Sequence, residues 1–158
     1  MRTEFKRAVL PRDLRALVAF DHRVFPQPDW FPAEAWSEYE SFWLIVERRR
    51  IGCCTFGEHI DFQHDLRGID PRLRGTLYVA STGILPAFRG AGFGHLLKAW
   101  QVAYARHGGF SRVVTNTRKS NRAMIALNKT FGFRAIRTTP HYYMDPDEPT
   151  VVMELLLR

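Results

Sequence analysis

Arg89 and three alternating glycines, Gly90, Gly92 and Gly94, stand between an apolar, β-rich run at 76–85 and an apolar-periodic stretch from about 92 to 106. Pro86 breaks the run, so the glycines form the turn from a strand into a helix. The first N–H groups of a helix lack internal acceptors and carry the positive end of its dipole, which makes such a turn an anion site. Glycines let a phosphate approach the backbone because no Cβ intervenes. Arg89 adds a planar donor fork suited to phosphate oxygens, and a diphosphate is the ligand that this set of groups suits.

A second block lies downstream: Asn116, then Asn121-Arg-Ala-Met-Ile-Ala-Leu-Asn-Lys-Thr-Phe-Gly-Phe133. Two familiar phosphate motifs do not fit. The glycines are spaced Gly-x-Gly-x-Gly rather than G-x-G-x-x-G, and the next strand ends in Thr115-Asn116 with no acidic ribose partner. No G-x-x-x-x-G-K-[ST] is present, and Lys98 is a full turn inside the helix. The arrangement Arg-x-x-Gly-x-Gly closely resembles the acetyl-CoA-binding signature of the GNAT N-acetyltransferases, with Arg89, Gly92 and Gly94 at the motif positions. The second block is similar to the family's other signature, an Asn opening a helix that ends in Gly-Phe.

The resemblance implies a mixed α/β fold: a central, partly splayed, mostly antiparallel sheet flanked by helices. It implies acetyl-CoA as co-substrate, no metal, and an amine acceptor. In such a protein the pantetheine arm runs along Thr82, Gly83, Ile84 and Leu85, with Ser81 nearer the thioester. The diphosphate rests on the amides of Arg89, Gly90, Ala91, Gly92, Phe93, Gly94 and His95. Asn121 reads equally as a helix cap and as a cofactor contact. Acyl transfer then needs the amine beside the acyl carbon, and a backbone N–H can polarise the carbonyl.

The chain departs from the family at one place. Many members carry a Tyr seven residues after the Asn, which protonates the leaving thiolate; Asn128 stands there and cannot release a proton. Tyr142 and Tyr143 are the candidates to replace it, and both also read as loop or core aromatics. No carboxylate lies in 76–85 to act as base. Glu47, Glu58, His59 and His141 border the acceptor side in this reading, though each also reads as a solvated surface group. Phe25, Trp30, Phe31 and Trp36 are candidates for the acceptor wall, or for core.

A length of 158 residues and a hydrophobic fraction of 46% fit one domain over 1–158 with a real core. The start has no apolar h-region and no run is long enough to span a bilayer, so a cytoplasmic protein off the membrane is expected. Cys53 and Cys54 are neighbours on a strand and point to opposite faces, as two small buried hydrophobes. The net charge is +7, but Arg48, Arg49 and Arg50 sit at a hairpin turn and Arg67, Arg72 and Arg74 in a loop. No basic stripe with interleaved aromatics forms, which speaks against nucleic acid as the partner. Two alternatives stay open beside the enzyme: a non-catalytic acyl-CoA-binding module, and a basic nucleic-acid or ribosome-associated protein.

The elements that position these groups follow from periodicity and turn residues. Pro11-Arg-Asp13 opens a helix through Leu14, Leu17 and Val18, and Pro32 with Glu34 opens a short one through Trp36 and Tyr39. Residues 42–47 and 53–58 form a hairpin, 59–75 a polar loop, 76–85 a strand and 112–115 a short strand. Asn121 caps a helix to about Thr130 that Gly132 ends, and 133–139 and 150–157 are the last strands. An exposed final strand would offer an edge for a homodimer.

Overall fold

The computed structural model describes residues 1–57 and 75–157. The chain is a mixed α/β fold with a seven-stranded, mostly antiparallel sheet in the order β1-β2-β3-β4-β5-β7-β6. It divides into two compact units, Met1–Phe56 with Ser81–Leu97, and Gly57–Ala80 with Lys98–Arg158. The strands are β1 (Thr3–Arg7), β2 (Glu40–Val46), β3 (Arg49–Gly57), β4 (Thr76–Ile84), β5 (Arg112–Arg118), β6 (Arg134–Tyr143) and β7 (Glu148–Leu156). The α-helices are α1 (Leu14–Val24), α2 (Phe93–His107) and α3 (Arg122–Thr130).

In the first unit β1 pairs antiparallel with β2, which forms a hairpin with β3. Glu47 and Arg48 make the turn with φ of 47° and 67°, the twist that a two-residue hairpin loop requires. The turn therefore comes one residue before the expected arginine triplet, and Arg49 and Arg50 belong to β3. Leu17 and Phe20 of α1 pack with Trp36, Trp43, Cys53 and Leu85 to form the core, Phe20 meeting Trp43 edge-on at 5.6 Å. Asp13 precedes α1 as a structural anchor: its carboxylate accepts from the Val9 amide at 2.7 Å and pairs with Arg12 and Arg50. That amide, then Arg12, holds the Asp13 carboxyl below its usual pKa.

In the second unit the first half of β4 pairs parallel with β5, from Thr76↔Arg112 to Val79↔Thr115. This pairing then stops, although β4 runs on to Ile84 and β5 to Arg118. A parallel pair needs a crossover, which the segment bearing α2 supplies. β7 pairs along β5 from Arg112↔Leu156 to Arg118↔Thr150 and, with irregular register, along β6.

Several expectations change. β1 has no counterpart in the sequence reading, and Ala33–Glu38 is a 3-10 helix. β5 and β6 are each longer than expected, and β6 takes in Tyr142 and Tyr143. The final strand is not an edge, because β5 and β6 flank it. The loop expected over 59–75 falls outside the described residues except for Gly75, and so do Arg67, Arg72 and Arg74. Among the described residues no helix is long and apolar enough to cross a membrane.

Candidate active site

The glycine turn lies wholly in the first unit. After β4, Pro86–Phe88 makes one 3-10 turn, closed by the Phe88 amide donating to Leu85 O at 2.9 Å. Gly90 and Gly92 follow in the left-handed region, with φ of +78° and +88°. A Cβ at either position would meet nothing within 4 Å, so both backbones border open space. The Leu96 amide donates to Gly92 O at 3.0 Å, and the N–H groups ahead of that bond in the first turn have no intrahelical acceptor. Phe88 fixes the turn from below: it meets Phe93 at 6.3 Å and lies under the Arg49 guanidinium at 5.0 Å.

Arg89 has a role that the sequence did not show. Its Nε donates to Ile84 O at 3.0 Å and its Nη2 to Val24 O at 3.2 Å. The side chain thus ties the end of β4 to the end of α1. Two of the guanidinium's five donors are engaged in this way. Gly83 belongs to the same contact, since a Cβ there would lie 2.6 Å from Val24 Cγ1. Gly83, Ile84 and Leu85 are all buried, whereas Gly90, Ala91 and Gly92 are exposed.

In the second unit a hydrogen-bonded chain crosses four strands. Tyr78 on β4 donates from its hydroxyl to Asn116 Oδ1 on β5 at 2.5 Å. Asn116 Nδ2 donates to Tyr143 Oη on β6 at 3.3 Å and to Thr150 Oγ1 on β7 at 3.1 Å. Thr150 in turn donates to Thr117 O at 3.1 Å. The Arg118 guanidinium covers the Tyr143 ring at 4.5 Å, and Tyr142 meets that ring edge-on at 4.9 Å.

A model of the acetyltransferase (GNAT) family matches residues 12–133, well over half of the chain. The chain belongs to the GNAT acetyltransferase family. No curated protein matches it. Among solved structures it is similar to the N-acetyltransferase of Staphylococcus aureus Mu50, at 20% identity and TM-score 0.78 over 100% of both chains. It is similar to the ribosomal-protein-S18-alanine N-acetyltransferase of Escherichia coli at 17% identity and TM-score 0.78, over 98% of this chain and 94% of that one. A third likeness is yncA of Salmonella typhimurium, a putative acetyltransferase solved with its cofactor acetyl-CoA. It has 20% identity and TM-score 0.77, over 100% of this chain and 95% of that one. At these identities the likeness is one of fold.

The remaining GNAT-signature residues have definite surroundings. Asn121 caps α3, its Oδ1 accepting from the Met124 amide at 3.2 Å. Asn128 is 1% exposed; its Nδ2 faces Met153 Sδ at 3.6 Å, and no donor among the described residues reaches its Oδ1. It is a packed amide, not a proton source. His95 is exposed at the start of α2. Glu47 receives the Arg2 amide at 2.7 Å and so ties the hairpin turn to the amino-terminal strand, and exposed His141 pairs with Asp147 at 2.7 Å. Glu58 and His59 lie outside the described residues. Trp36 is core, packed on Phe31 at 5.1 Å, while Trp30 stacks on His22 at 3.7 Å and donates to Phe25 O.

Cys53 and Cys54 are free and buried. Burial first, then Cys54 and Asp21, push the Cys53 thiol well above its usual pKa, so it is no nucleophile at neutral pH. Among the described residues no group of His, Cys, Asp or Glu could hold a metal. Tyr78 and Thr150 join Asn116 in a hydrogen-bonded chain that the sequence reading did not assign. Asn116 was visible as part of the second block, but its partner Tyr78 is 38 residues away and shares no local pattern with it.

Proposed function

We propose that the protein is an acetyl-CoA-dependent N-acetyltransferase that moves an acetyl group to a primary amine of a small molecule or protein by direct transfer. The observation that carries this reading is the pair of left-handed glycines, Gly90 and Gly92, facing open space at the head of α2. A phosphate fits there because the backbone amides are exposed and no side chain fills the cradle. The GNAT match and the acetyl-CoA carried by the Salmonella neighbour support the same ligand.

In this reading the amides of residues 89–95 hold the diphosphate and the backbone of residues 81–85 receives the pantetheine arm. The three Arg89 donors not engaged with Ile84 and Val24 remain for phosphate oxygens. Acetyl-CoA supplies the activated acyl group when bound. The chain's own part is to hold the amine against the acyl carbon, to accept the amine's proton and to give one to the departing sulfur. A lysine-like amine titrates near ~10.4, so its deprotonation is part of the cost at neutral pH. Tyr143 is the proton donor assigned here, since the buried Asn128 amide has no proton to give. The reading places the protein in the cytoplasm, where the buried Cys53 and Cys54 stay reduced.

Calorimetric titration with acetyl-CoA, run beside a thiol-release assay over small primary amines and peptides with free amino ends, tests the reading. Binding with turnover is expected. Binding with no turnover on any acceptor returns the protein to the acyl-CoA-binding module, the reading that Asn128 favours. An absence of binding overturns the cradle itself.

A further inference from the structure

The hairpin between β2 and β3 carries three consecutive arginines, Arg48, Arg49 and Arg50, and each has a different environment. Arg48 is exposed in the turn itself, with φ of 67°. Arg50 is committed: its Nη2 donates to Asp13 Oδ1 at 3.3 Å, and its guanidinium lies over the Trp43 ring at 4.6 Å. Arg49 is also exposed, but its guanidinium lies over the Phe88 ring at 5.0 Å and so is held at the glycine turn. Phe88 immediately precedes Arg89 and meets Phe93, the first residue of α2, at 6.3 Å. A cation over a ring is held by the ring's quadrupole and spends no hydrogen-bond acceptor. All five Arg49 N–H donors therefore remain, and no carboxylate or carbonyl among the described residues accepts from them.

The carboxylates that could neutralise Arg49 are occupied or absent. Glu47, two residues before it, receives the Arg2 amide at 2.7 Å, and Asp13 pairs with Arg12 and Arg50. Residues 81–97, which bring the glycine turn into this unit, contain no Asp or Glu. Arg49 is thus a permanently charged fork beside the turn, without an anion of the protein's own. Such a fork suits a phosphate, whose oxygens it meets with two parallel N–H groups.

We infer that Arg49 is a specificity-determining residue of the cofactor site and that it takes the 3′-phosphate of CoA. The inference rests on the acetyl-CoA reading. In that reading the diphosphate is already met by the amides of residues 89–95 and by Arg89. The ribose 3′-phosphate, a monoester with a charge of about −1.5 to −2 at pH 7, has no partner among them. Arg49 comes from β3, outside both blocks that resemble the family signatures, so neither motif points to it. Its effect is on binding alone: it selects acetyl-CoA over the same thioester without the 3′-phosphate.

Acetyl-CoA and acetyl-3′-dephospho-CoA differ only in this phosphate, and calorimetric titration of each into the same protein tests the assignment. The wild type binds the dephospho ligand about tenfold more weakly, the size of a charge-assisted hydrogen-bonded pair at an exposed site. Arg49→Gln weakens acetyl-CoA by about that factor and leaves the dephospho Kd unchanged, so the ratio of the two falls to about one. Ligand-free thermal melts verify that the variant is folded. Arg48→Gln changes the net charge equally and keeps the tenfold ratio, which separates a local contact from the general basic field. Raising the salt from 0.1 M to 1 M shrinks the wild-type ratio, because the pair is exposed.

A wild-type ratio of about one overturns the inference, as does a ratio that stays at about ten in Arg49→Gln or falls equally in Arg48→Gln. If neither ligand binds the wild type, the acetyl-CoA reading itself fails and the inference goes with it, an outcome distinct from those three.

Discussion

At Gly92 and Gly109 the chain takes nearly the same left-handed conformation, with φ of +88° and +75°, and at both a Cβ would meet nothing within 4 Å. The two differ in place: Gly92 opens α2 and Gly109 follows its end. The pair separates backbone strain from ligand contact. Alanine at either position is expected to cost about 1–2 kcal/mol of stability, the penalty for a side chain in that region. Only Gly92→Ala should weaken acetyl-CoA binding, by tenfold or more, because in the proposed cradle its methyl takes the space of the phosphate. Denaturant melts and calorimetry on both variants check this, and equal affinity in the two would remove Gly92 from the cradle. Arg89→Ala should lower stability and affinity together, since one side chain holds Ile84 O and Val24 O and, in the proposed reading, gives its remaining donors to phosphate. Arg89→Lys should not restore both, because an ammonium cannot span two carbonyls with a fixed fork.

The elements after residue 76 were legible because each carries its own punctuation. Pro86 and the glycines separate β4 from α2, Asn121 opens α3, and Gly132, at φ +92°, ends it. β1 was not legible: four of its five residues are exposed, so it lacks the alternation that marks a half-buried strand. β6 was truncated in the reading for a related reason, since it is polar and bulged and, among the described residues, borders β7 alone. The candidate residues divide in the same way. The Gly90–Gly92 turn is local in sequence and could be read as a turn, whereas Tyr78, Asn116, Tyr143 and Thr150 meet only through strand register. The β6–β7 connection shows what such register depends on. Arg118 donates to Met144 O and Pro146 O at 3.0 Å each and to Glu148 Oε1 at 2.9 Å, and Ser120 adds two bonds to the same carboxylate. The Arg118 bond, chiefly, holds the Glu148 pKa below its usual value. A lowered folded pKa stabilises above the unfolded pKa, and the contribution disappears as pH falls through the folded one. Glu148→Gln should therefore be less stable than the wild type at pH 7, and the gap should close as the pH is lowered until the Glu148 carboxyl is protonated in the folded state. A gap that stays the same size as the pH falls would assign the effect to packing instead.

On the scale of the molecule, the net charge of +7 draws any polyanion, and the question is whether acetyl-CoA is held by that general field or by the turn. The two respond differently to salt. Diffuse attraction is screened over about 10 Å at 0.1 M and about 3 Å at 1 M ionic strength. Hydrogen bonds from backbone amides to a phosphate act at contact distance and lose much less. At a hundredfold excess over Kd, a ligand that binds only the folded state adds about 2.7 kcal/mol. For a chain of this size that corresponds to a rise in Tm of about 5–11 °C. Most of that rise should survive in 1 M salt at matched saturation, while any rise produced by a short single-stranded oligonucleotide should vanish there, as counterion release requires. Thermal melts with each ligand at 0.1 M and 1 M salt decide it. If the acetyl-CoA shift collapses as steeply as the oligonucleotide shift, the basic surface rather than the Gly90–Gly92 turn is what holds the anion.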